Sequence, residues 1–383
     1  MFEPPFCPNQ FCLNHLSAPA DKWWESFGVY DTKAFGEVPR FMCKACRRTF
    51  SVQTFSVHYW AKKVLNLEKL ELLSASSMGT RSLSREFKCS CGTVSNRIDR
   101  IARQAIMVNS ILRPEADQRE AICYDDLVNF DRSQFTPNNV GISITAESRF
   151  ILAISHAAVR RSGAMTEDQK KTRDRLDEVM TFEKKAVERS FREHLDLMER
   201  ERPPDKKYPL IMITDQKREY RRALRLHPLF EDQDEDHRCA HITIHSKLPR
   251  TFWNPLFASN YIDREARKDQ ANFRRETTNQ SQKAANCMSR LYSWAGYHNY
   301  KKKYLIKWPV DRTETHGEVA GINKDRIASL RGSMFKARAF LTHLVLNTLD
   351  WKVWMKAVYD PYCGKISYGY VPRFAYGLSR RTI

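Results

Sequence analysis

A chain of 383 residues with 42% hydrophobic and 11% aromatic content can bury the cores of roughly two to four compact units and excludes a disordered chain. Its formal net charge of +19 and pI near 9.5 favour a polyanionic partner, because each phosphate neutralised by Lys or Arg releases condensed counterions. The excess is uneven: residues 264–383 carry 23 Lys or Arg against 9 Asp or Glu, a net of +14.

The first ten residues, MFEPPFCPNQ, lack a basic start followed by an apolar run, so no secretory signal is read there. The most apolar late stretch, Phe340 to Trp354, is interrupted by His343, Asn347, Asp350 and Lys352 and reads as a core helix rather than a membrane span. A cytoplasmic, nucleoid-associated protein without membrane contact is expected, in which the ten cysteines are metal ligands and buried thiols rather than disulfides.

Residues 1–60 are rich in Cys, Pro, Trp and Phe and have little helical periodicity. Cys7-x4-Cys12 and Cys43-x2-Cys46 form two knuckles 30 residues apart. Zinc takes four tetrahedral ligands, and paired cysteines on tight turns supply two each. An all-cysteine set leaves no vacant position, so the site is structural and replaces a core that so short a segment cannot build. Lys44, Arg47 and Arg48 cluster at the second knuckle, where they meet phosphate; His15 is an alternative ligand with a poorer position. Cys89, Cys91, Cys123, Cys239, Cys287 and Cys363 lack paired spacing and read as structural.

From about residue 61 the pattern turns helical, with Leu65, Leu67, Leu70, Leu72 and Leu73 on one broad face. A short helix from Ser82 to Phe87, a turn at Ser90-Cys91-Gly92 and a longer helix from about Thr93, capped by Thr93 or Ser95, make the pattern of a helix-turn-helix. In the longer helix Ser95, Asn96, Arg97, Arg100 and Arg103 share a polar face, while Ile98, Ile101 and Ala102 face the core. Such a helix lies in a major groove with Asn and Arg reaching base edges and phosphates.

Beyond Ala121 short β-branched runs, AICYDDLVNF, GISITAE and FILAISHAAV, read as adjacent strands. A charged amphipathic helical insertion follows at about 160–204, then a strand YPLIMITD, an acidic loop at 231–236, and helices from about Tyr261. Asp125 stands at the end of one apolar run and Asp215 at the end of another. Carboxylates on neighbouring strands, with a third from a helix, hold two Mg²⁺ ions that activate water or a 3′-hydroxyl and stabilise the leaving oxygen of a phosphodiester. For the third, Asp263 and Glu265 are two residues apart and cannot both face one site from one helix. Arg264, Arg267, Lys268, Arg274 and Arg275 surround them and are expected to hold DNA backbone.

Cys7-Pro-Asn…Cys12, FMCKACRRTFS, the helix-turn-helix, ITDQKREY and NPLFASNYIDREARKD…RRET…YHNY together resemble the DDE-type insertion-sequence transposases of bacteria, over Cys7 to about Tyr304. The resemblance implies a mixed α/β, ribonuclease H-like catalytic core, two catalytic Mg²⁺ or Mn²⁺ ions besides the structural Zn²⁺, and cut-and-join chemistry on double-stranded DNA by a homo-oligomer. It matches Asp125 to the first acidic position, bridging both metals, and Asp215 to the second. Asp263 falls where the family has Glu followed by Arg, which leaves Glu265 as the alternative. A DNA-binding regulator derived from a transposase and no longer able to cut is the competing reading. The expected organisation is a zinc ribbon at 1–60, a helix-turn-helix unit at 61–118, a catalytic unit at 119–304 and a basic helical region at 305–383, in which Trp351, Trp354 and Tyr359 beside Lys352 and Lys356 add DNA or subunit contacts.

Overall fold

The computed structural model describes residues 2–117, 119–201, 209–231, 239–273, 281–305, 313–372 and 375–376. The described residues form a mixed α/β fold with three sheets. The N-terminal sheet joins β1 (Trp24–Thr32), β2 (Gly36–Cys43) and β3 (Thr49–Ser51), antiparallel throughout. Phe41 and Phe50 pair across it and, with Trp23, Trp24 and Phe55, form a small aromatic core beside the cysteines.

Three helices follow: α1 (Leu67–Ala75), α2 (Thr80–Glu86) and α3 (Cys91–Leu112). The cap of α3 is Ser90, whose hydroxyl accepts from Thr93 N–H at 3.1 Å, so neither Thr93 nor Ser95 caps it. In α1 Leu67 and Leu70 are buried, whereas Leu72 is exposed.

The main sheet contains β4 (Ile122–Phe130), β5 (Pro137–Thr145), β6 (Ile151–Ile154), β7 (Ala157–Ala158), β8 (Leu210–Asp215) and β9 (Cys239–Ile244). Its order is β6-β5-β4-β8-β9, with β7 against β5. The pairings β6–β5 and β5–β4 are antiparallel, while β4–β8 and β8–β9 are parallel. β9 follows the acidic loop, where no strand was expected from the sequence. Of the acidic loop expected at 231–236, only Glu231 falls within the described residues.

Strand periodicity gives the sheet two buried faces. Between β7 and β8 lie α4 (Glu167–Asp177), none of whose residues is buried, and α5 (Ala186–Glu201); after β8 come α6 (Arg218–Arg225) and α7 (Pro228–Glu231). Tyr124, Leu210 and Met212 pack against Phe191 and Leu195 of α5 and Tyr220 of α6. The expected insertion at 160–204 is therefore half peripheral and half a structural cover for the sheet. On the opposite face Cys123, Leu127, Ile142 and Ile213 meet Ile262 of α8 (Phe257–Asp269) and Leu291 and Trp294 of α9 (Ala284–Tyr300).

The remaining elements are α10 (His316–Val319), α11 (Lys324–Met334), α12 (Thr348–Trp354) and a hairpin of β10 (Ala357–Asp360) and β11 (Lys365–Tyr368). The region beyond 305 is thus not purely helical. The stretch Phe340–Trp354 is likewise not one helix: a 3₁₀ turn at Leu341–His343 precedes α12, whose cap is Asn347, accepting from Asp350 N–H. Trp354 and Lys356 are buried, and Lys356 pairs with Asp99 at 2.7 Å, so neither side chain is exposed for the DNA or subunit contact expected of it. Among the described residues no helix is long and apolar enough to cross a membrane.

Helix α3 is buried nearly all round and serves as the axis of the α-helical layer. It crosses α9 closely at Gly296, where a Cβ would lie 2.8 Å from that of Ala105. At its C-terminus Arg113 donates to both Glu201 oxygens, at 2.6 and 2.7 Å, and to Asp350 at 3.0 Å, tying α3 to α5 and α12. Arg113→Ala strands the fully buried Asp350 carboxylate without its cation and is expected to lower the unfolding free energy by about 3–5 kcal/mol, read from the midpoint of urea denaturation.

Candidate functional site

The first site is the cysteine cluster. The turn after Cys12 and the turn after Cys43 present their thiols toward one another: Cys7 Sγ lies 3.6 Å from Cys46 Sγ, and Cys12 Sγ lies 3.6 Å from Cys43 Sγ. All four sulfurs fall within 4.8 Å of one another. A tetrahedral ion with Zn–S bonds of about 2.3 Å separates its sulfurs by ~3.8 Å, so the donor set fits zinc in number, type and span. The knuckle backbone is organised by Cys12 N–H donating to Asn9 at 2.9 Å, and by Arg47 N–H donating to Cys43 carbonyl at 2.9 Å with Arg47 itself in the left-handed region.

Burial pushes the Cys7 and Cys12 thiols up. At Cys46 burial is outweighed by hydrogen bonds from the Arg48 backbone, Asn9 and the other cysteines, which bring it down to about 7. His15 is not a ligand, because its Nδ1–H donates to Cys7 carbonyl at 2.6 Å and its Nε2 meets Thr342 Oγ1 at 2.7 Å. The chain is expected to carry one tightly bound zinc, counted by elemental analysis. Cys43→Ser abolishes it and lowers the melting temperature, and acid promotes its release because thiolates must be protonated.

The second site lies on the main sheet. The parallel pairing of β4 and β8 runs Ile122↔Met212, Cys123↔Ile213, Tyr124↔Thr214, so Asp125 and Asp215 come next in register on adjacent strands. Asp215 ends β8 as expected, but Asp125 sits within β4 rather than at its end, because pairing with β5 continues to Phe130. Above them α8 contributes Asp263, whose side chain is 20% exposed and lies 3.9 Å from Arg267. Asp125 is half-buried and its carboxyl is pushed up to about 7: burial is the main cause, followed by the charge of Asp263, with Asp126 and Asp215 adding repulsion. The carboxylates of Asp263 and Asp215 thus act on Asp125 from a neighbouring helix and the adjacent strand, although among the described residues the three do not close into a ligand cluster as the cysteines do.

The two acids of α8 differ in their surroundings. Glu265, on another face, is buried between Lys302 and Lys268, the latter at 2.7 Å, and these cations hold its carboxyl below the usual range against the opposing effect of burial. Asp126 adjoins Asp125 but is likewise ion-paired. Strand alternation turns it to the opposite face, where it accepts from Lys217 Nζ at 2.6 Å, Tyr220 Oη at 2.7 Å and Tyr124 Oη at 3.2 Å. Nothing in the sequence pattern distinguished Asp125 from Asp126 except that parity.

The residues expected to touch DNA divide. Arg47, Arg48, Arg264 and Lys268 are exposed, and Arg267 is half-buried beside Asp263. Arg274 and Arg275 lie outside the described residues. Arg97 and Arg100 do not face solvent: Arg97 donates to Lys63 carbonyl at 3.0 Å and to Asn96, and Arg100 to Val57 carbonyl at 2.7 Å and Asn96. Arg103 is fully buried and donates to Trp354 carbonyl at 3.0 Å. The polar face of α3 is therefore a packing surface for the segment leaving the ribbon and for the C-terminal region. Ser95 and Asn96 are only half-buried, but this face is not free to enter a groove.

No protein-family model matches the chain, and no curated protein matches its sequence.

The raised Asp125 carboxyl fixes a pH dependence. Its folded value, about 7, exceeds the unfolded value of ~3.9, so its contribution to stability is complete below pH ~4 and is lost as the pH rises through about 7. Without divalent metal, Asp125→Asn is expected to remove that loss and raise the melting temperature at pH 8 by a few degrees. Millimolar Mg²⁺ or Mn²⁺ is expected to stabilise the unaltered chain at pH 8 but not the variant, the measurement being scanning calorimetry at pH 5 and 8.

Proposed function

We propose that the protein is a DNA transposase of the DDE type that hydrolyses and rejoins phosphodiesters with two divalent cations. The observation that carries this reading is the register of β4 and β8, which sets Asp125 beside Asp215 under Asp263 of α8. A mixed sheet with the first carboxylate on its central strand and the second on the neighbouring parallel strand supports a ribonuclease H-like core. The net charge of +19 supports a polyanionic substrate.

In this reading Asp125, Asp215 and Asp263 hold two Mg²⁺ or Mn²⁺ ions, which supply Lewis acidity to the attacking and leaving oxygens. Asp126 fixes the position of Asp125 through Lys217, Tyr124 and Tyr220, so that β4 and α6 stay in place as charge develops. Arg264, on the exposed side of α8, holds phosphate beside the metals, while Lys268 is engaged by Glu265. The cysteine ribbon, holding zinc, presents Arg47 and Arg48 to the DNA away from the reacting centre.

A regulator that binds DNA without cutting it is the competing reading, favoured by one observation: Arg267 lies 3.9 Å from Asp263 and partly neutralises it. Nicking of supercoiled DNA with Mn²⁺ separates the two. Asp125→Ala, Asp215→Ala and Asp263→Ala should each lower nicking by about a hundredfold or more, the scale of losing a metal ligand's transition-state contribution. Glu265→Gln should leave it nearly unchanged. Binding that persists while no divalent metal supports nicking selects the regulator.

A further inference from the structure

We propose that the zinc-ribbon module carries a groove for unpaired nucleotides, separate from the carboxylates. The proposal takes its nucleic-acid class from the DNA reading above, but not its mechanism. The groove, of about 830 Å³, runs between the β1–β2 hairpin and the segment that leaves the ribbon. Tyr30, Tyr59 and Trp60 line it with rings, and Lys33, Arg40 and Lys62 line it with charge. No carboxylate borders it, and these three cations form no ion pair among the described residues.

Two details point to an unstacked base rather than a duplex backbone. Trp60 holds its indole 65% exposed and sits at φ +58°, a left-handed conformation that a bulky aromatic adopts only where the surroundings enforce it. Tyr59 meets its edge at 6.1 Å, supporting the ring from within the fold. Gln53 borders the same groove, and its side-chain oxygen has no hydrogen-bond partner among the described residues. An orphaned acceptor asks for a donor, and the ring and exocyclic N–H groups of bases are donors, whereas phosphates are not. Base stacking on an exposed ring with cations along the backbone is how single strands are held without sequence preference. A duplex keeps its interior bases stacked on one another and offers Trp60 at most the face of an end pair, whereas every base of a single strand can stack on it.

The test uses the full zinc-loaded chain without added divalent metal, and labelled oligothymidylate, an abasic oligomer of equal length and a blunt duplex at matched salt. Trp60→Ala is expected to weaken oligothymidylate binding by about tenfold or more, to the level of the abasic oligomer, with Trp60→Phe restoring most of it and the blunt duplex hardly affected. Trp60→Gly relieves the left-handed backbone and so folds at least as well, and it should lose the same binding. An unchanged affinity in Trp60→Ala overturns the proposal, as does an equal loss on thymidylate and abasic strands. Displacement of the oligonucleotide by polyglutamate as readily as by unlabelled thymidylate also overturns it, in favour of an acidic protein partner. Failure of the transposase reading looks different: nicking is absent or indifferent to Asp125→Ala, while Trp60-dependent thymidylate binding persists.

Discussion

The parallel pairing of β4 with β8 is the constraint on which the rest depends. Neighbouring strands lie about 4.8 Å apart, so once Tyr124 is aligned with Thr214 the next residue on each strand is held within reach of the other. A slip of one residue would turn Asp125 into the α5–α6 face and Asp126 into the site, and it would place Tyr124 and Cys123 in the wrong cores. The apolar partitioning of the sheet and the position of its carboxylates are therefore one fact.

That coupling explains why two adjacent aspartates have opposite environments. Asp126 is satisfied by an ammonium, two phenols and Asn139, all supplied by elements that also pack the sheet. Asp125 accepts the N–H of its neighbour Asp126 at 2.8 Å, and it faces other acids. One spends its charge on cohesion, while the other keeps it available. A related division recurs one helix away, where Glu265 is held by Lys268 and Lys302, while Asp263 meets Arg267 at 3.9 Å and adds its charge to the field at Asp125.

The cysteine knuckles, β4 and β8 were legible because each is a local signal: ligand spacing for the first, short apolar runs for the strands. The choice between Asp263 and Glu265 was legible only as a choice, since spacing forbids both but the lysine that neutralises Glu265 arrives from Lys302, distant in sequence. The face of α3 was misread for a similar reason. Ser95, Asn96, Arg97 and Arg100 have the periodicity of a DNA-reading surface, but Arg97 and Arg100 bury their guanidinium groups on the carbonyls of Lys63 and Val57. A helical wheel counts such groups as solvent-facing, because long side chains find backbone acceptors that no local pattern encodes. β9 escaped because CAHITI mixes His into the apolar run and follows the acidic loop.

The ribbon is also fastened to residues far along the chain. Phe6 packs edge-on against Phe340 at 4.9 Å and stacks on His343 at 4.1 Å, His15 bonds Thr342, and Val57 N–H donates to Lys336 carbonyl at 2.9 Å. During synthesis at ~5–20 residues per second, the cysteines emerge long before these partners, by on the order of a quarter of a minute to a minute. Metal can load early, but the module stays without its seat until residues 336–343 have emerged. A prematurely terminated chain would therefore release a metal-bearing fragment with Phe6, Phe55 and the carbonyls that receive Arg338 uncovered, a substrate for quality control rather than a smaller working protein.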